Sequence, residues 1–139
     1  MLRTFVIVTS LLVLVAGVAC ARRQVDRRAY VKANENLFRE LPRFPRSRIR
    51  KEASSPRVAG EDKPIVGYVT RFELRLSAGT TPVSVARFYE RRLRPKWRLV
   101  EKLSGPVLNF RRWRALVSIN LENFRSGWLE IAVDHAFYA

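Results

Sequence analysis

The feature that most constrains this chain is the uncharged N-terminal run from Phe5 to Ala19, which follows a single basic residue, Arg3. A short positive start, an apolar stretch of about 15 residues and an end of small residues are typical of a secretory signal. The run closes on Val18-Ala19-Cys20-Ala21, and two arginines follow. Residues 1–21 are therefore predicted to be a signal peptide or a membrane anchor that holds the rest of the chain at a membrane.

Three interpretations of this segment stay open. In the first, cleavage precedes Cys20, the only cysteine of the chain, and a lipid on its sulfur anchors a lipoprotein. In the second, Ala19-Cys20-Ala21 is an A-x-A cleavage site and the product is released. In the third, the run stays uncut as a signal anchor, because the stretch from Leu2 to Ala21, about 20 residues at about 1.5 Å each, just crosses a hydrocarbon core of about 30 Å.

The charges around the run bear on the side of the membrane that the domain faces. Arg3 is the only basic side chain upstream, whereas five basic residues lie within residues 22–32. The positive-inside rule would keep such a flank in the cytoplasm, whereas a cleaved signal would export it. We expect a domain in the cell envelope, outside the cytoplasm, and an anchored domain that faces the cytoplasm is the alternative.

The whole chain is strongly basic, with 27 Lys and Arg against 12 Asp and Glu and a formal net charge of +15. Residues 20–63 and residues 64–139 each hold 13 basic and 6 acidic residues, so the charge does not belong to a detachable tail. Arginine dominates, and guanidinium groups pair bidentately with phosphate and carboxylate, although a GC-rich genome alone would produce such an excess. The partners of this surface are expected to be anionic lipid, acidic envelope polymers or nucleic acid.

Residues 22–41 are predicted to form a helix, because apolar residues recur there at every fourth position. That stripe comprises Val25, Ala29, Ala33, Leu37 and Leu41. The helix is expected to stop at Leu41, since the residue before a proline is disfavoured in the helical region. Residues 42–64 contain four prolines and few apolar side chains. We predict a Pro-rich linker or loop over them, with a short strand around Arg48–Glu52 as the alternative for one part.

Residues 65–139 are predicted to form an α+β domain. Apolar and polar residues alternate from Ile65 to Leu76, which is typical of a strand with one face in a core. Thr81 is the predicted N-cap of a helix with Pro82 at its first position. Four further strands are predicted, over Trp97–Leu103, Val107–Arg111, Ala115–Leu121 and Trp128–Asp134. The order β-α-β-β-β-β predicts one antiparallel sheet of about five strands, covered on its apolar face by one helix.

Three stretches carry a family resemblance: Leu41-Pro42-Arg43-Phe44-Pro45, then Gly79-Thr80-Thr81-Pro82-Val83-Ser84-Val85-Ala86-Arg87-Phe88-Tyr89, and Trp97 a few residues beyond. In these stretches the chain resembles a group of uncharacterised bacterial proteins that are membrane-anchored or lipoprotein-like. That group often has glycine after the second proline, where this chain has Arg46. The likeness spans most of residues 30–134. It implies the fold and the membrane anchoring, and it implies no chemistry, because no activity is assigned to the group.

Catalysis needs convergent titratable groups, and the sequence offers few. The one histidine, His135, adjoins Asp134, but neighbouring residues of a strand point to opposite faces and cannot form an orienting pair. Six carboxylates are expected to lie outward in solvated ion pairs with arginines, namely Glu73, Glu90, Glu101, Glu122, Glu130 and Asp134. One histidine and one cysteine do not supply a metal site, and no glycine-rich phosphate loop occurs. We predict no enzyme, no metal and no cofactor.

One constellation rises above this background, within residues 87–114, where ten basic residues accompany two acids. We predict that an anionic ligand binds a patch formed by Arg91, Arg94, Lys96, Trp97, Arg98, Arg111, Arg112, Trp113 and Arg114. Arginine beside tryptophan suits a lipid interface, and it equally suits single-stranded nucleic acid. The structural alternative is a core Trp97 below a solvated charged face.

These features together predict a non-catalytic, membrane-tethered envelope domain. Its basic surface is expected to contact anionic lipid, an envelope polymer or a protein partner. The alternative is a membrane-anchored nucleic-acid-binding module that faces the cytoplasm.

Overall fold

A computed structural model describes residues 25–100, 106–122, 124 and 127–137. The predicted signal or anchor over residues 1–21, with Cys20, lies outside these residues. Within them, no helix is both long and apolar enough to cross a membrane. In chain order the elements are α1 (Arg27–Glu40), β1 (Arg48–Val58), β2 (Ile65–Arg75), α2 (Pro82–Leu93), β3 (Arg98–Val100), β4 (Val107–Arg112), β5 (Ala115–Asn120) and β6 (Trp128–Asp134).

The six strands form one antiparallel sheet in the order β1-β2-β6-β5-β4-β3. The chain makes the β1–β2 hairpin, crosses through α2 to the opposite edge, and returns as a meander until β6 pairs with β2. The predicted α+β class and the single antiparallel sheet are confirmed. The described residues contain six strands and two helices, whereas the sequence predicted about five strands and one covering helix in this domain.

The core lies on one face of the sheet, because apolar side chains alternate along the strands in matching register. Phe72 on β2 is opposite Ile131 on β6, and Ile131 is in turn opposite Ile119 on β5. All three side chains are buried, as is the alternating set that extends to β4. Both helices contribute to this core: Phe38 of α1 stacks on Phe72 with ring centroids 3.7 Å apart, and Tyr89 of α2 is fully buried.

Both helices begin at side-chain caps that the local sequence supplies. Asp26 accepts hydrogen bonds from the Arg28 and Ala29 amides and so starts α1. Thr81 caps α2 through a reciprocal hydrogen-bond pair with Ser84, and Pro82 is the first residue of the helix. The predicted N-cap and first position of α2 are confirmed, since a cap satisfies amides that the first helical turn leaves without partners.

Strand β1 corrects the prediction of a linker over residues 42–64. Eleven residues, Arg48–Val58, pair with β2, so the strand is longer than the alternative around Arg48–Glu52. The alternation of apolar and polar residues is weak here because β1 is an edge strand with mostly exposed side chains. Its Pro56 is also compatible with an edge, where a missing ladder hydrogen bond is tolerated.

The sheet has two ends, which we call proximal and distal. At the proximal end α1 begins, β6 finishes at Asp134, β4 turns into β5, and β3 starts at Arg98. The Tyr30 hydroxyl of α1 donates to Asp134 Oδ1 at 2.8 Å, which fixes the first turns of α1 at this end. The distal end carries the start of β1 and the start of β6, at Trp128.

Gly67 of β2 gives the first test of this packing. A Cβ atom at this position would lie 2.5 Å from the Tyr30 hydroxyl oxygen and 2.7 Å from the adjoining ring carbon. We predict that Gly67→Ala lowers the free energy of unfolding by about 1–3 kcal/mol, as overpacking does in a close-packed site, measured by urea denaturation. The same substitution should cost less in a Tyr30→Phe background, and an equal cost in both backgrounds would contradict this packing.

Candidate functional site

Trp113 is the most unusual side chain on the described surface. It is 91% exposed, more than any other large hydrophobic residue among the described residues. It opens the turn between β4 and β5, where Arg112 pairs with Ala115, and its φ of 57° lies in the left-handed region that favours glycine and asparagine. Trp113 therefore does not pack in the core, and tryptophan is an unfavourable residue for the backbone conformation of this turn.

Arginines surround the base of this turn. Arg111 donates from Nε to the Trp113 carbonyl at 3.1 Å. Arg98 on β3 is directly opposite Arg111 on β4, on the helix-free face of the sheet. Arg114 is exposed, and within the described residues neither Arg98 nor Arg114 forms an ion pair with a carboxylate. We call Arg98, Arg111, Trp113 and Arg114 the basic tip.

The other predicted patch residues do not all join this surface. Trp97 is 5% exposed and belongs to the core, so it is not available to a ligand. The Arg112 guanidinium lies 4.6 Å from the centroid of the Trp97 ring and 3.1 Å from Glu40 Oε2. Lys96 borders this stack. The two tryptophans therefore lie at different depths, and only Trp113 can contact a partner.

Arg91 lies on α2 and Arg94 is the C-cap of this helix, and the two side chains have different neighbours. Arg94 pairs with Glu90, one helical turn earlier, at 3.4 Å. Arg91 borders a shallow groove of about 600 Å³ between α2 and the residues that follow α1. This groove was not predicted, although the spacing of Arg87 and Arg91 places both on one side of the helix. Its wall includes Phe44 and Phe88, whose ring centroids are 5.2 Å apart.

Asp134 corrects the prediction that the carboxylates are solvated, because it is only 2% exposed. Its Oδ2 lies 2.6 Å from Arg57 Nε, although neither of these two atoms makes an aligned hydrogen bond within the described residues. Its Oδ1 accepts a hydrogen bond from the Tyr30 hydroxyl, and Arg57 also donates to the carbonyl of Ala136 at 2.9 Å. The partners that bury Asp134 come from α1 and β1, which are distant in sequence.

His135 lies beside a second buried group, Asn34, which has no exposed surface. Asn34 donates to the Tyr68 carbonyl at 2.8 Å, and its side-chain oxygen accepts the His135 backbone amide at 2.8 Å. The imidazole packs edge-on against Tyr30 at 4.1 Å. Burial lowers the pKa of His135, and the Asp134 charge opposes that shift in part. We interpret these contacts as a structural network that joins α1, β1, β2 and β6.

No group of three or more His, Cys, Asp or Glu side chains in the described part of the chain is placed to hold a metal ion. Comparison of the chain with protein-family models, with curated proteins and with solved structures finds no match.

The buried network predicts a loss of stability at alkaline pH. Burial, together with the hydrogen bond to Asp134, raises the pKa of Tyr30 to about 12, and burial also raises the pKa of Tyr89. Between about pH 10 and pH 12 the unfolded chain releases a phenol proton that the folded chain retains, so the free energy of unfolding falls as pH rises. Urea denaturation across this range should show the fall, with a smaller slope in Tyr30→Phe; an unchanged slope in that variant would contradict the buried phenol.

We predict that a substitution of Trp113 does not destabilise the fold. Because asparagine adopts the left-handed region more readily, Trp113→Asn should leave the free energy of unfolding unchanged or raise it by up to about 1 kcal/mol. Thermal and urea denaturation measure the difference. A loss of more than about 1 kcal/mol would show that the indole packs against the fold, contrary to its exposure.

Proposed function

We propose that this chain is a membrane-tethered, non-catalytic domain that binds an anionic partner through the basic tip. The observation that carries the proposal is Trp113, which is almost fully exposed in a left-handed turn among arginines. A side chain that contributes neither to the core nor to the turn is best explained by a contact outside the fold. Backbone outliers of this kind cluster where proteins bind their partners.

The chemistry of the basic tip suits phosphate or carboxylate groups. Arginine forms bidentate hydrogen bonds with both, and tryptophan offers an apolar ring with one N–H donor. Arg98 and Arg111 are directly opposite each other on neighbouring strands, so an anion at this position would meet two guanidinium groups. Anionic lipid, an acidic envelope polymer and an acidic protein surface all present such groups.

The tether is supported by the N-terminal sequence. The apolar run to Ala19 followed by Cys20 predicts a lipidated cysteine or a peptide anchor, and either would hold the domain at the membrane. A weakly binding surface becomes effective when a tether holds it near its partner, because the local concentration of that partner is then high.

A second candidate function is a nucleic-acid-binding module that faces the cytoplasm. The exposed ring of Trp113 beside Arg114 is the specific observation in its favour, because single-stranded nucleic acids bind through aromatic stacking and backbone ion pairs. The five basic residues within residues 22–32 agree with a cytoplasmic domain.

Two measurements on the full chain test the first proposal. Membrane association should survive a high-salt wash and be lost when residues 1–21 are deleted, as followed by cell fractionation. Binding of the purified chain to immobilised heparin, an anionic probe, should weaken in Arg98→Gln/Arg114→Gln and elution should shift to lower salt. The matched control is Arg43→Gln/Arg48→Gln, which removes the same charge from exposed residues that do not belong to the basic tip.

Equal elution of the two double variants would contradict a specific role for the basic tip, because net charge alone would then explain binding. Recovery of the uncleaved chain in the soluble fraction would contradict the tether. Tighter retention on a single-stranded oligonucleotide than on heparin, with steep loss in salt and dependence on Trp113, would favour the second candidate.

A further inference from the structure

We infer that the basic tip rests on anionic lipid head groups of the same membrane that holds the N-terminal segment, so that the domain stands end-on on the bilayer. This inference depends on the tether of the proposed function and adds the partner and the orientation. It follows from the position of the tip relative to the point where the described chain begins.

The distance available to the tether is short. Residues 22–26 connect the predicted anchor to α1, which begins at Arg27, and five fully extended residues span at most about 18 Å. The longest strands have 11 residues, which corresponds to about 36 Å. Because α1 begins at the proximal end, a tether of this length brings the proximal end close to the bilayer and leaves the distal end away from it.

The basic tip lies at this same end. Leu116 of β5 pairs with Asp134 of β6, and Arg98 pairs with Arg111 beside the β4–β5 turn. Only one strand, β5, separates β6 from β4 in the sheet, so the turn lies about 10 Å from the end of β6. The start of α1, to which the tether is joined, and the basic tip therefore both face the membrane.

The residues of the tip match the lipid interface. Tryptophan prefers the depth of the head groups, where its ring is in apolar surroundings and its N–H remains hydrated. Guanidinium groups at that depth reach phosphate oxygens, and each basic side chain near an anionic leaflet strengthens binding by about fivefold. Arg27 and Arg28, at the start of α1, add positive charge at this end. Glu61 and Asp62 follow β1 on the opposite edge, so we place the lipid contact on the β3–β4–β5 side.

Lipid is favoured over a soluble polymer because the tether keeps the domain beside the membrane at all times. A tether of at most about 18 Å keeps the domain beside the head groups, where the basic tip meets a high effective concentration of phosphate.

Trp113 and Trp128 lie at opposite ends of the sheet, so their fluorescence tests which end contacts the membrane. The full-length protein is reconstituted into vesicles of phosphatidylcholine with brominated acyl chains, with and without phosphatidylglycerol, and tryptophan fluorescence is recorded. We expect quenching that increases with phosphatidylglycerol. Trp113→Asn should abolish most of it, whereas Trp128→Phe should retain it, because Trp128 lies at the distal end. Arg98→Gln/Arg114→Gln should lower the affinity for vesicles that contain phosphatidylglycerol by about fivefold for each charge removed. Arg43→Gln/Arg48→Gln should not lower this affinity.

Three results would overturn the inference, and they are distinguishable. If the chain sediments with the vesicles but Trp113→Asn leaves quenching unchanged, the tether stands and the tip does not contact lipid. If quenching is lost in Trp128→Phe instead, the domain lies with its other end toward the bilayer. A chain that fails to sediment with any vesicle overturns the tether, and with it the proposed function.

Discussion

The attachment of α1 to the end of β6 determines how the rest of this molecule can work. The Tyr30 hydroxyl and the Arg57 guanidinium both reach the buried carboxylate of Asp134, so that helix, edge strand and final strand meet at one point. A buried ion pair is weak evidence for stability, because desolvation offsets its attraction. Its effect here is positional: it fixes the start of α1, and hence the chain that leads to the N-terminus, at the proximal end of the sheet.

The basic tip depends on strand register in the same way. Arg98, Arg111 and Leu116 are in register on the helix-free face, while Leu99, Phe110 and Val117 alternate with them into the core. A shift by one residue would exchange the two faces and bury the arginines. The apolar set therefore holds the arginines outward, and the two-residue turn places Trp113 beyond the end of the strands.

Local signals in the sequence were enough to predict much of this fold. Thr81 and Pro82 start α2 through contacts within one helical turn, and the alternation along β2 follows from its single buried face. Strand β1 was foreseen only as a short alternative around Arg48–Glu52, because an exposed edge strand lacks that alternation. The burial of Asp134 was missed for another reason: Tyr30 and Arg57 lie 104 and 77 residues away in sequence, and only the tertiary fold brings them together. The different depths of Trp97 and Trp113 likewise depend on packing.

The basic tip is costly to the fold, and its location explains how the cost is tolerated. A left-handed tryptophan costs about 1–2 kcal/mol. A typical domain has only about 5–15 kcal/mol of stability, so such a site in the middle of the sheet would endanger it. Trp113 instead lies at a turn beyond the last paired residues, Arg112 and Ala115, so the strained residue is outside the strand ladder. An anion that recognises the assembled basic tip binds the folded state and not the unfolded chain, so its binding would raise the stability of the domain.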